Sequence, residues 1–232
     1  MFSEIAPRYD LLNHLLSFSM DRPWRWRTAR RFRHILSRPD ARVLDLCCGT
    51  ADLTLALHKE RTKALAEGAG DARAAILGSD FAHPMLVRAD RKSAGRALRY
   101  VEADATKLPF ADASFDLITN AFGFRNLANY EAGLREMHRI LRPGGEFGVL
   151  EFSAPEGSLF SKLYRLYFTQ VVPRVGGAVS GSSTAYSYLP VSVSKFPSPP
   201  GLRALAERVG FVNATSEFWM FGAVALHRAT KK

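Results

Sequence analysis

The runs ARVLDLC (41–47), AAILGSD (74–80), LRYVEAD (98–104) and FDLITNAF (115–122) constrain this chain most. Each is short and mostly apolar, as a strand buried on both faces of a sheet must be. Helical patterns follow the first two, at 51–67 and at 83–92. Such alternation predicts an α/β fold with a mostly parallel sheet and helices on both faces. Ligands of open parallel sheets bind beyond the carboxyl ends of the strands, where the strand order reverses. The polar residues at those ends are Asp45, Asp80, Asp104 and Asn120, with Asp52 in the turn after the first run. They are the first candidates for function.

The other segments fill out the same fold. Residues 8–18 put Leu11, Leu12, Leu15 and Leu16 on one helical face, and 22–36 reads as one arginine-rich helix. A helix is expected at 129–141, then a turn and strand at 142–153. Residues 157–172 carry Phe160, Leu163, Tyr164, Tyr167, Phe168 and Val171 at helical spacing. The stretch 173–201 is rich in Gly, Ser and Pro and is expected to be a loop or cap. A helix at 202–210 ends on Gly210, and two antiparallel strands close the chain.

A length of 232 residues suits one domain with a sizeable core. No apolar run approaches the roughly 18 residues of a membrane-spanning helix. The opening MFSEIAPRYD lacks the charged-then-apolar pattern of a secretory leader, which favours the cytoplasm. The net charge of +10 suggests an anionic partner: nucleic acid, a membrane surface or a ligand. Cys47 and Cys48 are the only cysteines. A zinc site needs about four ligands, and a redox pair needs C-x-x-C spacing. Adjacent cysteines at a strand end point to opposite faces. They are expected to be small, semi-buried residues, with no metal.

The turn after the first run has one glycine, Gly49, and an acid close by. A dinucleotide site would need G-x-G-x-x-G there, and neither that motif nor a P-loop is present. The pattern suits a nucleoside without phosphates. Asp80 can accept both ribose hydroxyls. Asp104 can accept from an adenine amino group while the Ala105 amide donates to a ring nitrogen. Gly49 allows close backbone approach, and the acidic turn suits a cationic amino-acid end. The ligand that fits is S-adenosyl-L-methionine.

Several segments resemble a known family: MFSEIAPRYDLLNHLLSFSMDRPWR, VLDLCCGTADLT, SDFAHPML, EADATKLPF, NAFGFRN, ILRPGGEFGVLEFS, YSYLPVSVSKFPSP and GAVALHRA. In that order they are similar to the class I methyltransferases that C-methylate quinols, the demethylmenaquinone methyltransferase and 2-methoxy-6-polyprenyl-benzoquinol methylase family. The resemblance implies a Rossmann-like fold with a mostly parallel seven-stranded sheet and an antiparallel last strand. It implies one methyltransferase domain over 1–232, with a helical cap at 1–38 and a substrate-side insertion at 154–201. Thr50, Asp80, Asp104 and Ala105 carry over as donor contacts, and Asp45 and Gly49 join them from the wider class I pattern. Three positions depart from the family: Ala51 where glycine is frequent, Ala121 where some relatives have serine, and Asp21 where histidine is common.

The resemblance further implies methyl transfer to a ring carbon of a reduced, prenylated quinol, demethylmenaquinol or a benzoquinol of ubiquinone synthesis, with no metal. Such a carbon is a weak nucleophile until its neighbouring hydroxyl loses or shares its proton. Arg125, Asn126, Tyr9 and Tyr188 are the candidates for that task. Arg125 could stabilise a phenolate, and Asn126 could orient a hydroxyl. His138 falls on the helix before RPGG, away from the strand ends. Finally, Arg22, Arg25, Arg27, Arg30, Arg31 and Arg33 interleave with Trp24, Trp26 and Phe32. This Arg22–Arg33 segment reads as a solvated face, a peripheral contact on the inner face of the cytoplasmic membrane, or, least favoured, an RNA contact.

Overall fold

A computed structural model of the chain describes residues 14–15, 17–68, 70–72, 76–153, 155, 159–172, 174 and 188–232. The strands are β1 (Val43–Leu46), β2 (Ile76–Asp80), β3 (Leu98–Glu102), β4 (Phe115–Ala121), β5 (Leu141–Phe152), β6 (Phe211–Trp219) and β7 (Val224–Lys231). They form one sheet in the order β3-β2-β1-β4-β5-β7-β6. Pairing from β3 through to β5 is parallel, and β7 runs antiparallel to both β5 and β6. This is the expected sheet. The order reverses between β1 and β4, so the switch point lies above those two strands.

The helices are α1 (Asp21–Arg31), α2 (Arg33–Leu36), α3 (Asp52–Glu67), α4 (His83–Lys92), α5 (Tyr130–Ile140), α6 (Leu159–Leu166), α7 (Tyr188–Lys195) and α8 (Pro199–Val209). One core layer joins Leu134, Met137 and Ile140 of α5 and Leu202 and Ala206 of α8 to Leu44, Ile118 and Val149 of the sheet. The other joins Trp24, Ala29, Phe32, Ile35 and Leu36 to Val43, Leu117 and Leu150, with Leu53 and Leu57 of α3. The helices between Asp21 and Leu36 therefore build a core face.

Four local features depart from the sequence reading. The helix expected at 22–36 breaks at Phe32, whose φ of −104° and ψ of 17° leave the helical region. The break lets the Phe32 ring lie on β5 at Gly148, where a Cβ would come within 2.4 Å of that ring. The RPGG turn survives as an irregularity inside β5: the register with β4 jumps from Phe115↔Leu141 to Leu117↔Glu146. Proline misled the reading of 173–201. Pro199 and Pro200 open α8 behind an Ser198 N-cap that accepts from the Gly201 amide, and proline in a first turn forfeits no hydrogen bond. Pro190 sits likewise in the first turn of α7. The apolar helix at 157–172 becomes α6 followed by a π turn over Tyr167–Val171. Most of the helix expected at 8–18 lies outside the described residues.

Gly148→Ala should cost about 1–3 kcal/mol, the usual penalty for overpacking a filled core. Adding Phe32→Leu should recover part of that loss in urea unfolding. Simple addition of the two single effects would show that the ring and the glycine are not coupled.

Candidate active site

Two turns form the floor of the switch point. After β1 the chain runs through Cys47, Cys48, Gly49, Thr50 and Ala51, and after β4 through Phe122 and Gly123. Cys47 (φ 51°), Gly49 (φ 54°), Ala51 (φ 73°) and Phe122 (φ 59°) all adopt left-handed backbone. Such strain in non-glycine residues gathers at sites that the surrounding structure over-determines. Here Asn120 holds the turns together. Its amide donates to the Leu46 carbonyl at 2.6 Å, and its carbonyl accepts from Phe124 N at 2.9 Å. Gly123 has no room for a side chain, because a Cβ would stand 2.6 Å from the Cys47 Cβ.

Above this floor lies a cavity of about 270 Å³, near the lower end of the ~300–1,000 Å³ typical of small-ligand pockets. Asp45, Gly49, Thr50, Asp80, Asp104, Ala105 and Asn126 all line it, as do Arg25, Asp52 and Phe122. The sequence-expected donor contacts are thus gathered at one place. Arg125 is not in that lining, and Tyr9 lies outside the described residues. Tyr188 opens α7. His138 packs its ring edge-to-face on Phe211, away from the cavity.

Each acid meets different surroundings. Asp45 is fully buried, and its two oxygens accept from Thr54 Oγ1 at 2.6 Å and Thr119 Oγ1 at 3.0 Å. Burial pushes its carboxyl up to about 7 against the pull of those hydroxyls. Its oxygens thereby tie β1 to α3 and β4. Asp80 accepts from the Gly49 amide at 2.8 Å and from the Ala82 amide at 2.9 Å. Burial raises its pKa, and the backbone amides oppose the rise. This carboxylate therefore also pins the glycine turn to β2. Asp104 is exposed, and its Oδ1 accepts from the amide and the hydroxyl of Thr106, which lowers its pKa.

Arg125 is buried, and its Nη1 lies 3.1 Å from both oxygens of the fully buried Glu151 and also donates to the Phe122 carbonyl. Glu151 further accepts from the Arg125 and Phe152 amides. Burial raises the Glu151 pKa, and the Arg125 charge opposes the rise. The pair braces the Phe122–Asn126 turn and leaves Asn126 exposed at the cavity. Sequence reasoning missed Glu151, though its place in the EFS segment at a strand end was a signal. It also grouped Arg25 with the surface arginines. The structure buries Arg25 beside Trp24 and Thr28.

The cysteines behave as small packing residues. Cys47 meets Gly123, and a Cβ on Gly78 would come within 2.9 Å of Cys48 Sγ. Burial and then nearby carboxylates push both thiols well up, which keeps them protonated and unreactive. Among the described residues, His14, Asp21 and Asp52 stand close enough to share a metal. The Arg25 guanidinium contacts both carboxylates.

Solved structures of the same class share this architecture. A possible histamine N-methyltransferase of Thermotoga maritima, described as S-adenosylmethionine-dependent, superposes over all of both chains with a TM-score of 0.60 at 17% identity. The trans-methyltransferase CalH, solved with S-adenosylhomocysteine, gives a TM-score of 0.62 at 17% identity over 91% of this chain and 55% of its own. The fold is that of the class I methyltransferases. A model of the ubiE/COQ5 methyltransferase family matches residues 1–231, and the chain belongs to that family. It is similar to the demethylmenaquinone methyltransferases of Thermus thermophilus, 48% identical over 98% of both chains, and of Deinococcus radiodurans, 46% identical over 91% of this chain and 83% of that one.

Arg125→Met should destabilise the protein by about 3–5 kcal/mol, because it leaves the Glu151 carboxylate buried and alone. The double variant Arg125→Met, Glu151→Leu should lose less than the single one in the same urea titration. A double loss equal to the sum of the two single losses would show that the pair carries no coupling.

Proposed function

We propose that the protein C-methylates demethylmenaquinol, with S-adenosyl-L-methionine as donor, and so forms menaquinol. The observation that carries this reading is the convergence of Asp80, Asp104 and Ala105 with the Gly49 turn on one cavity. That donor set matches a nucleoside and would repel phosphates. When bound, S-adenosyl-L-methionine supplies an electrophilic methyl group. Asp80 and Asp104 would hold its ribose and adenine, and Thr50 and Gly49 its central portion. The protein's task at the acceptor is to hold a ring carbon at near-attack distance and to polarise the adjacent hydroxyl. Asn126 offers an amide for that hydroxyl at the cavity wall. Arg125 shares its charge with Glu151, so it acts from behind the turn as a positioning residue. Tyr9 remains a candidate through the family resemblance alone. We assign 1–38 as the cap of this site and 154–201 as the insertion that meets the substrate.

The names of the relatives quoted above favour a naphthoquinol. Other relatives, such as a Geotalea daltonii protein 38% identical over the whole chain, carry a combined ubiquinone/menaquinone name. A polyprenyl benzoquinol is therefore the second reading. Labelled S-adenosyl-L-methionine should transfer label to chemically reduced demethylmenaquinone and not to its oxidised form. Label in the reduced benzoquinol alone would move the protein to ubiquinone synthesis, and label in bulk RNA alone would overturn the quinol reading.

A prenylated substrate resides in a bilayer. Among the described residues no helix is long and apolar enough to cross one. The exposed face of α1 presents Arg22, Pro23, Trp26, Arg27, Arg30 and Arg31. The Arg30 guanidinium lies 4.8 Å from the Trp26 ring and that of Arg27 lies 4.8 Å from the Trp219 ring. Just past Trp219, Phe221 is 85% exposed. This face suits peripheral contact with an anionic membrane surface. The protein should sediment with vesicles containing anionic lipid and lose them at high salt or on Arg27→Glu, Arg30→Glu substitution. Equal binding to zwitterionic vesicles, or none to either, would overturn the contact.

A further inference from the structure

The acceptor can meet the donor from one side only. Asp80 ends β2 and Asp104 follows β3, so a donor held there fills that flank of the cavity. The acceptor ring has to come in from the other flank, over the Phe122–Asn126 turn and the end of β5. Ser153 stands at that end. Its amide donates to the Ala223 carbonyl at 2.9 Å, which carries the β5–β7 ladder one residue beyond the Phe152↔Val224 pair. Alternation along the strand therefore puts its side chain on the face of Glu151, about 7 Å further out. Glu151 is the acid that braces, through Arg125, the turn carrying Asn126.

Ser153 is only 6% exposed, and its Oγ is buried with no hydrogen-bond partner among the described residues. A hydroxyl shut away from water in this way carries a desolvation cost that nothing in the free protein offsets. Its cover is α6. The Tyr164 hydroxyl donates to the same Ala223 carbonyl at 3.3 Å, a long bond for an O–H donor. Burial raises the Tyr164 pKa, and the Arg125 charge opposes the rise while Glu151 adds to it, so α6 lies over the same corner as that pair. A long bond is easily exchanged, and a ring that slides beneath α6 reaches the hydroxyl that α6 covers.

We infer that Ser153 is a specificity residue for the acceptor, and that its hydroxyl bonds the quinol oxygen lying across the ring from the one beside the reacting carbon. Asn126 serves the nearer hydroxyl and Ser153 the farther one. A ring held at one oxygen can swivel about it, whereas a ring held at two opposite oxygens presents one carbon to the donor. A serine hydroxyl both donates and accepts, so it suits the O–H of a quinol. A site built to bond a hydroxyl rejects an analogue that lacks it, because the buried group of the site is then left unpaired. This rests on the quinol reading given above.

Acceptor binding to the full chain, saturated with S-adenosylhomocysteine and titrated anaerobically in a calorimeter, tests it. The probes are a short-chain demethylmenaquinol and its analogue without the hydroxyl next to the prenyl chain, which is the one across the ring from the hydroxyl beside the accepting carbon. The unmodified protein should bind the quinol about tenfold more tightly than the analogue. Ser153→Ala should bring that ratio to about one by weakening the quinol alone. In urea, the ligand-free Ser153→Ala variant should be at least as stable as the unmodified protein, because it sheds a hydroxyl that has no partner. An unmodified protein that binds both acceptors equally overturns the assignment. So does a Ser153→Ala variant that keeps the ratio, whether it binds both acceptors as before or loses both together with stability. Binding of neither acceptor beside bound S-adenosylhomocysteine overturns the quinol reading itself.

Discussion

Everything at the switch point depends on how closely two turns approach. Gly123 and Cys47 meet with no space for an added carbon between them. Asn120 spans the same junction from beneath, so the ends of β1 and β4 are set by one buried amide. The left-handed backbone at Cys47, Gly49, Ala51 and Phe122 follows from that crowding. The chain must leave each strand sharply enough to open a cavity, and it must do so within a gap narrower than a side chain. At Ala51 an ordinary residue bears the strain that glycine would relieve, since its methyl is fully buried.

The second organising principle is the treatment of buried charge. Asp45 meets two threonine hydroxyls, and burial raises its pKa against their pull. Glu151 meets a guanidinium and two amides. Asp80 meets backbone amides from the turns it connects. These acids serve as struts, and two of them also face the cavity. The same carboxylate can hold the floor in place and present a remaining lone pair to a ligand, because a carboxylate offers about four acceptor positions.

Much of this was legible in the sequence. The strands announced themselves as apolar runs, and the acids at their ends were correctly gathered at one place. α4 begins and ends at the expected residues. What the sequence concealed has physical reasons. Arg25 shares its composition with its neighbours on α1, and only the helical phase, with Trp24 and Thr28 turned inward, separates it from them. Arg125 looked like a ligand contact because its partner Glu151 lies far along the chain, on β5. Proline-rich stretches read as loops because proline is punctuation in most contexts, yet at α8 it sits where a helix tolerates it. The hold of Asp80 on the glycine turn was invisible because it depends on the Gly49 amide pointing back at it.

The sheet order has one more consequence, for the birth of the chain. β7 lies between β5 and β6, although it is the last strand to be made. A ribosome releases residues in order, at about 5–20 per second. Until Val224–Lys231 emerge, β5 has an open flank and β6 has no neighbour to join. Most of the sheet can assemble early, but closure waits for the final strand. A chain cut short near its end would therefore lose an interior slat rather than an edge, and would expose two unpaired strand margins at once.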